Sequence, residues 1–402
     1  MGTSGYKRTV FVERSLSVAN VFEYLGYELA SFDERPVNAI DAAIFSQAAM
    51  IDGAGIVPSV PRTPAALSRL RTLVAPAALR AARFEDLARA ERFDTMFTGF
   101  VPEDLKKLLF ALIASPRFRD MRLMGYKATF DETTHTQFSA TTYLWRDSLA
   151  LVAFRGTDTS FCGWRENFDM TYKPVVRAQR LARSYLETMA AHLPCPLVVC
   201  GHSKGGNLAL FAALTAAPKV QSRIEHVWAL DAPGFKAGAF DEDAYRPLEG
   251  RITRIVPQDS IVGMLLEHHG GERCVQSFAA GLDEHSVFSW ETYGEDFVGR
   301  ERVNDASQAL RAVAAEWLAS MDDARKEQVV EALFAAIAVS GAKSAVEIFA
   351  GGPELGRAAA RALRELDPDE RDLLTQEFGN LAGIVARRVG QDVASALFDW
   401  MG

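Results

Sequence analysis

Hydrophobic positions change their spacing twice along the chain. Apolar residues recur at helical spacing near the beginning and near the end, and Asn20 and Asn38 are placed to cap the first two helices. Between these parts the apolar residues form short runs typical of β-strands. The pattern predicts a helical N-terminal region, a strand-rich core and a helical C-terminal region, bounded at 1–117, 118–302 and 303–402.

The strand-rich core has two parts. Its first three strand-like runs, at 121–130, 137–145 and 148–156, are joined by short polar turns and predict an antiparallel meander. Helical stretches at 176–191 and 204–217 then alternate with apolar strands, a pattern of mostly parallel sheets covered on both faces. The strands of this second part are predicted at 196–200, 226–231, 251–256 and 273–278. The predicted fold class is therefore α/β, with a mostly parallel sheet, antiparallel N-terminal strands and flanking helical regions.

The segment Pro61–Asp94 differs from its surroundings because it is rich in alanine, leucine and arginine. We predict a surface helix with an apolar stripe on the core and a solvated basic face. An interfacial helix with affinity for anionic lipid is the alternative.

Composition excludes several classes of protein. The chain has 44 Lys and Arg against 52 Asp and Glu, a formal net charge of −8, so it lacks the basic excess of a nucleic-acid binder. The N-terminus has no apolar stretch typical of a signal peptide, and no apolar run reaches the roughly 20 residues that span a bilayer. We therefore expect a cytoplasmic protein without a transmembrane segment. Four scattered cysteines are expected to be free thiols: Cys162, Cys195, Cys200 and Cys274.

The most informative segment is Gly-His-Ser-Lys-Gly at 201–205, which follows an apolar strand and precedes a helix. In this context the pattern G-x-S-x-G predicts a nucleophile elbow, a turn so tight that Gly201 and Gly205 leave no room for side chains. The turn would present the Ser203 hydroxyl at the edge of the sheet, beside the positive end of a helix. An ordinary glycine-rich turn that binds an anion is the alternative interpretation.

A serine nucleophile needs a base and an acid that orients the base. Of the seven histidines, His285 is selected by placement, because it follows the C-terminal end of the last predicted strand of the sheet. His202, inside the elbow, is expected to point elsewhere. Asp231 and Asp259 both end strands at the same edge, and the order of the strands leaves the choice between them open.

An oxyanion hole needs two donors directed at the developing negative charge. One is the backbone N–H of Lys204, which follows the serine. The other is expected from the loop at Gly156 and Thr157, where the glycine permits close approach and the threonine offers its N–H and its hydroxyl. No metal or organic cofactor is implied.

These residues resemble the class 3 lipases of the α/β-hydrolase superfamily and, more closely, an uncharacterised family of lipase-like bacterial proteins. The stretches that carry the resemblance are FRGTDTS (154–160), WRENFDM (164–170), GHSKGGNLA (201–209), DAPGF (231–235), PQDSIVGMLLEH (257–268) and EHSVFSW (284–290). The resemblance implies an α/β-hydrolase fold and a role in the oxyanion hole for Thr157.

The same resemblance bears on the acid. Class 3 lipases carry it just before an Ile-Val pair, where this chain has Ser260, with Asp259 one residue earlier. The stretch LDAPGF instead resembles pancreatic-type lipases, whose acid ends the strand after the nucleophile. The resemblance therefore favours Asp231 over Asp259.

The sequence thus predicts a serine hydrolase that cleaves a small or lipid-like carboxylic ester through an acyl-Ser203 intermediate. Apolar segments at Phe161–Val176 and Phe235–Leu248 are candidate lids that would cover the serine until substrate binds. Transient contact with a membrane surface is compatible with this prediction. Two alternatives stay open: acyl transfer or amide hydrolysis by the same residues, and a non-catalytic interaction protein on a hydrolase scaffold.

Overall fold

The computed structural model describes residues 19–61, 80–97, 99–342, 347 and 361–401, with side chains up to residue 388. The α-helices are α1 (Val21–Tyr27), α2 (Ala39–Ala48), α3 (Phe93–Met96), α4 (Pro102–Ala114), α5 (Phe161–Asp169), α6 (Arg177–His192), α7 (Lys204–Thr215), α8 (Pro218–Gln221), α9 (Glu242–Tyr245), α10 (Asp305–Ala319), α11 (Asp323–Ser340) and α12 (Pro368–Met401). The strands are β1 (Arg122–Asp131), β2 (Thr136–Trp145), β3 (Leu149–Phe154), β4 (Leu197–His202), β5 (Ile224–Leu230), β6 (Ile252–Pro257), β7 (Arg273–Val275), β8 (Thr292–Tyr293), β9 (Asp296–Phe297) and β10 (Gly299–Arg300). Short 3₁₀ helices cover Phe84–Leu87, Ala90–Arg92, Arg246–Leu248, Val262–Met264, Gly281–His285 and Val287–Ser289.

One sheet dominates the part of the chain that the structure describes. Eight strands pair in the order β1-β2-β3-β4-β5-β6-β7-β10, and β8 and β9 form a separate two-stranded sheet. β2 is antiparallel to both β1 and β3, β3 through β7 run parallel to one another, and β10 is antiparallel to β7. The prediction of a mostly parallel sheet with antiparallel N-terminal strands is confirmed.

The two faces of the sheet bury separate cores. Alternate residues of a strand point to opposite faces, so Leu151 and Ala153 of β3 join the core under the N-terminal helices, while Ala150, Val152 and Phe154 join the core under α6 and α7. Every residue of α2 is buried, as expected of a helix enclosed by other elements. Because helices cover both faces, the carboxyl edge of the parallel strands is the place left for a site.

The predicted N-caps are confirmed. The side-chain oxygen of Asn20 accepts from the Phe22 N–H at 2.9 Å, and that of Asn38 accepts from the Ile40 and Asp41 N–H groups at 2.9 and 3.0 Å. Each cap satisfies backbone donors that the first turn of a helix leaves without an acceptor.

The continuous helix predicted over Pro61–Asp94 is wrong where the structure describes it, and residues 62–79 lie outside the described part. Ala82 pairs with Leu123 at the outer edge of β1, with N–O distances of 2.9 and 2.7 Å, and only short helical turns follow. β1 is an edge strand whose free N–H and C=O groups offer this pairing. Local composition does not show such a long-range partner.

The C-terminal helices pack on one another and on the core. Met321, Val329, Ala332, Leu366 and Leu374 form a separate apolar cluster. The Gly-Gly-Pro stretch at 351–353, which predicts a break between two C-terminal helices, lies outside the described residues. None of the described helices combines the length and the apolar character needed to cross a bilayer, and the four cysteines are all buried and free.

Candidate active site

Ser203 lies where β4 turns sharply into α7. Its backbone adopts φ 58° and ψ −132°, a conformation that costs a residue with a side chain on the order of 1–3 kcal/mol. Its N–H donates to the Leu230 carbonyl at 2.8 Å, and its own carbonyl accepts from the Gly206 N–H at 2.9 Å. The neighbouring strand and the first turn of the helix therefore hold the serine in a strained position.

Glycines on both sides of the serine let this turn close. A Cβ atom on Gly201 would lie 2.1 Å from the Gly205 carbonyl oxygen, and a Cβ atom on Gly205 would lie 2.2 Å from the Phe154 carbonyl oxygen. Both obstacles are backbone atoms that cannot rotate away. The requirement for glycine at 201 and 205 therefore follows from sterics.

The structure brings His285 and Asp231 together at the same edge. Asp231 follows β5, and its Oδ2 lies 2.6 Å from Nδ1 of His285. The Asp231 side chain is buried, whereas 28% of the His285 side chain is exposed. Because the carboxylate occupies Nδ1, the opposite nitrogen Nε2 is the one left to act on a serine.

Ser203 and Asp231 occupy equivalent places on adjacent strands. His202 of β4 pairs with Leu230 of β5. Ser203 directly follows His202, and Asp231 directly follows Leu230. Among the described residues the Ser203 hydroxyl has no hydrogen-bond partner, so Ser203 and His285 are not hydrogen-bonded to each other in this structure. Catalytic hydrogen bonds are often long without substrate and tighten when it binds.

Asp259, the other candidate acid, bonds to a different residue and not to the imidazole in the described structure. Its Oδ1 accepts from Nδ2 of Asn304 at 2.5 Å, just before α10. In place of Asp259, Ser260 contributes to the site, because its hydroxyl donates to Oδ1 of Asp231 at 2.5 Å. The Gly263 N–H donates to the same oxygen at 3.0 Å, which leaves Oδ2 for His285.

His202 contributes to the site, although sequence reasoning set it aside. Its Nε2 lies 2.7 Å from the His285 carbonyl oxygen, and the two rings are 4.4 Å apart. A carbonyl only accepts, so Nε2 carries the proton. Burial, reinforced by the nearby His285, lowers the pKa of His202 to about 3. A neutral His202 therefore holds the main chain of the loop that carries His285.

The loop after β3 lies directly against the serine. A Cβ atom on Gly156 would be 3.6 Å from the Ser203 Cβ and 3.0 Å from the His202 carbonyl oxygen, so only glycine permits this approach without crowding. Among the described residues, neither the Thr157 N–H nor the Lys204 N–H has a hydrogen-bond acceptor. The Thr157 hydroxyl is 2.8 Å from Nδ2 of Asn167, a residue of α5 that sequence reasoning missed. Two unused donors and an oriented hydroxyl are thus available near Ser203.

Both predicted lid segments are anchored to α11. In the first, Arg165 pairs with Glu331, and the Phe168 ring lies 5.8 Å from that of Phe334. In the second, Lys236 pairs with Asp323. A lid role for these segments stays a prediction.

A separate open depression of about 460 Å³ lies between α1 and the turn that joins β8 to β9. Its lining includes Tyr27, Arg35 and Glu295 and shares no residue with the surroundings of Ser203. No group of His, Cys, Asp and Glu in the described residues is arranged to hold a metal ion.

Glu284 ties the His285 loop to the end of β6. It is buried and accepts from Nε2 of Gln258 at 3.0 Å and from the Asp259 N–H at 2.8 Å. Burial, together with the nearby negative charge of Asp259, raises the pKa of Glu284 to about 7. In the folded protein Glu284 therefore keeps its proton over a range in which the unfolded chain, with the ordinary value of 4.5, has lost it.

This difference predicts a pH-dependent stability. The stabilising contribution of protonated Glu284 is fully present below pH 4.5 and is lost as pH rises through about 7. We expect the free energy of unfolding to fall by about 1–3 kcal/mol more between pH 5 and pH 8 in the wild type than in Glu284→Gln. Urea denaturation at several pH values measures this, with Glu225→Gln on exposed β5 surface as the control. Equal pH dependence in all three proteins would contradict the assignment.

The sheet order, its two covered faces and the serine at the strand-to-helix turn define the class of protein, a lipase-like α/β-hydrolase fold. The chain belongs to the Mbeg1-like family, whose model matches residues 112–335, more than half of its 402 residues. The lipase-like resemblance is thereby confirmed at the level of family and fold.

Solved structures of fungal lipases are similar to the chain at low identity. The native Rhizomucor miehei lipase propeptide complex is 14% identical, with 59% of this chain and 68% of that chain covered and a TM-score of 0.32. A fungal lipase–inhibitor complex is 16% identical, with 65% of this chain and 81% of that chain covered and a TM-score of 0.33. The lipase from Rhizopus microsporus var. chinensis is 19% identical, with 56% of this chain and 83% of that chain covered and a TM-score of 0.29. No curated protein sequence matches the chain.

Proposed function

We propose that the protein is a serine hydrolase that cleaves carboxylic esters, with lipid-like acyl esters as the favoured substrates. The observation that carries the proposal is the 2.6 Å contact between Nδ1 of His285 and Oδ2 of Asp231, at the sheet edge where Ser203 is presented. A buried carboxylate on one imidazole nitrogen is the arrangement that keeps the other nitrogen basic toward an alcohol.

The proposed reaction has two halves. In the first, the Ser203 oxygen attacks the ester carbonyl while Nε2 of His285 takes the serine proton. The N–H groups of Thr157 and Lys204 stabilise the oxyanion, and His285 then gives its proton to the departing alcohol. In the second half His285 activates a water that cleaves the acyl-serine, which releases the acid and restores Ser203.

A fluorophosphonate probe tests the proposal directly. We expect it to label the wild type at Ser203, and p-nitrophenyl esters of increasing chain length to be hydrolysed. Ser203→Ala is expected to lose both reactions, because no other group replaces the nucleophile. Ser222→Ala, at an exposed serine, is the matched control and should retain both.

Two outcomes would contradict this assignment. Undiminished turnover or labelling in Ser203→Ala would place the chemistry elsewhere. A folded wild type that neither reacts with the probe nor turns over esters would favour a non-catalytic role for the fold. For an active enzyme, product analysis with competing alcohols and amines distinguishes hydrolysis from acyl transfer.

A further inference from the structure

The residue after the nucleophile carries a side chain that the proposed mechanism does not use. Lys204 is 1% exposed, and its ammonium lies 2.5 Å from Oε2 of Glu166, which is also 1% exposed. A buried ammonium is costly unless its protons are bonded. Nζ of Lys204 also lies 2.8 Å from the carbonyl oxygen of Gln137 and 3.4 Å from its Oε1. Three acceptors therefore surround the three protons of the ammonium.

The ion pair of Lys204 and Glu166 provides the hydrogen-bond partners that a neighbouring strand would otherwise give to the backbone of Gln137. β3 pairs with β2 only over Ala140–Trp145, so its ladder does not reach Gln137. The Gln137 N–H instead donates to Oε2 of Glu166 at 3.1 Å, and its carbonyl accepts from Lys204. Glu166 and Lys204 thus complete the backbone hydrogen bonding of β2 beyond the end of its neighbour.

From Gln137 and Glu166, two connections lead to the loop that faces Ser203. The side-chain amide of Gln137 donates to the Gly156 carbonyl at 3.3 Å. Glu166 also accepts from the Ala178 N–H at 2.9 Å, which fixes α5 to α6. The next residue of α5, Asn167, holds the Thr157 hydroxyl. The buried pair of Lys204 and Glu166 is therefore connected to both residues of the loop: to Gly156 through Gln137, and to Thr157 through Asn167.

We propose that Lys204 and Glu166 are positioning residues that set the Gly156–Thr157 loop against Ser203 for oxyanion binding. The inference rests on the proposed hydrolase function. Buried ion pairs contribute little net stability compared with apolar replacements, and specifying one geometry is among their attested roles. Here the geometry concerned is that of the two donors that must meet the developing negative charge.

The test replaces both charges at once, so that no unpaired charge stays buried. We expect the double variant Lys204→Met/Glu166→Gln to lower kcat for a p-nitrophenyl ester about 10–100-fold, with KM changed less than about threefold. A trifluoromethyl ketone inhibitor, which forms a tetrahedral adduct with serine, should lose affinity by a similar factor. Gln137→Met removes the donor to Gly156 while it leaves the ion pair, and we expect it to lower kcat in the same direction.

A second buried ion pair supplies the matched control. Asp41 and Arg117 are both fully buried and 2.6 Å apart, and Arg117 also donates to the backbone carbonyls of Ala30, Arg35 and Pro36 in the N-terminal region. Asp41→Asn is expected to lower the melting temperature, because it leaves the Arg117 charge buried without its partner. It should leave kcat within about twofold, since neither residue contacts the loop at Gly156 and distant sites usually act independently. A comparable fall of kcat in this control would overturn the positioning role.

The outcomes separate this inference from the proposed function. Wild-type protein without ester turnover or probe labelling would overturn the function itself. An active wild type, together with an unchanged kcat in the folded double variant, would overturn only the positioning role of Lys204 and Glu166. A fall confined to KM would also overturn it, because misplaced oxyanion donors weaken the transition state and not the ground state.

Discussion

Replacement of Asp231 by asparagine is expected to lower kcat for ester hydrolysis by about 10⁴-fold while the fold is retained. Asparagine keeps an oxygen that can accept from Ser260 and Gly263, so the local packing survives. Its amide nitrogen would donate to Nδ1 of His285, which forces the ring proton onto Nε2. An imidazole in that tautomer cannot take the proton of Ser203.

Asp259 provides the matched control for this prediction. Its carboxylate contacts Asn304 and has no contact with His285 in the described residues. We expect Asp259→Asn to retain kcat within about threefold, as surface and loop substitutions usually have small effects. Steady-state kinetics on both variants decide the matter. A larger loss in Asp259→Asn than in Asp231→Asn would reverse the assignment of the acid.

Replacement of Gly201 by alanine is expected to prevent the turn at Ser203 from closing. The new methyl group would lie 2.1 Å from the Gly205 carbonyl oxygen and 2.7 Å from the Gly206 nitrogen. Because these obstacles are backbone atoms, the turn must open, and we expect the free energy of unfolding to fall by about 3–5 kcal/mol. Urea denaturation followed by circular dichroism measures the loss.

Gly271→Ala is the control for this steric prediction. A Cβ atom at this exposed glycine meets nothing within 4 Å. We expect its stability to lie within about 0.5 kcal/mol of the wild type, as for ordinary surface substitutions. If Gly201→Ala were as stable as this control, the tight turn would not be a requirement of the fold.

Features that depend on local pattern could be predicted from the sequence. Asn20 and Asn38 are caps because short polar side chains precede helical periodicity, and both caps are present. The order of strands and helices predicted the mostly parallel sheet. Ser203 stood out through its strand-and-helix context, and His285 through its place after the last predicted strand of the sheet.

Features that depend on distant partners could not be predicted. The segment at 80–94 has helical composition, but its pairing with β1 depends on which edge of the sheet is free. Asn167 and His202 act through contacts with Thr157 and His285, and no spacing in the sequence indicates either contact. The choice between two strand-end aspartates likewise depends on the direction of a side chain, which a single residue of offset changes.

The pairing of β4 with β5 means that the three residues of the proposed site are not held equally firmly. Ser203, the proposed nucleophile, and Asp231 directly follow neighbouring paired strands of one sheet, so the scaffold fixes the separation of their main chains. His285, in contrast, lies on a connecting segment. Hydrogen bonds of His202 and Glu284 hold this segment in place. Displacement of the short segment that carries His285 would therefore be enough to disable the proposed site, while the sheet keeps its structure.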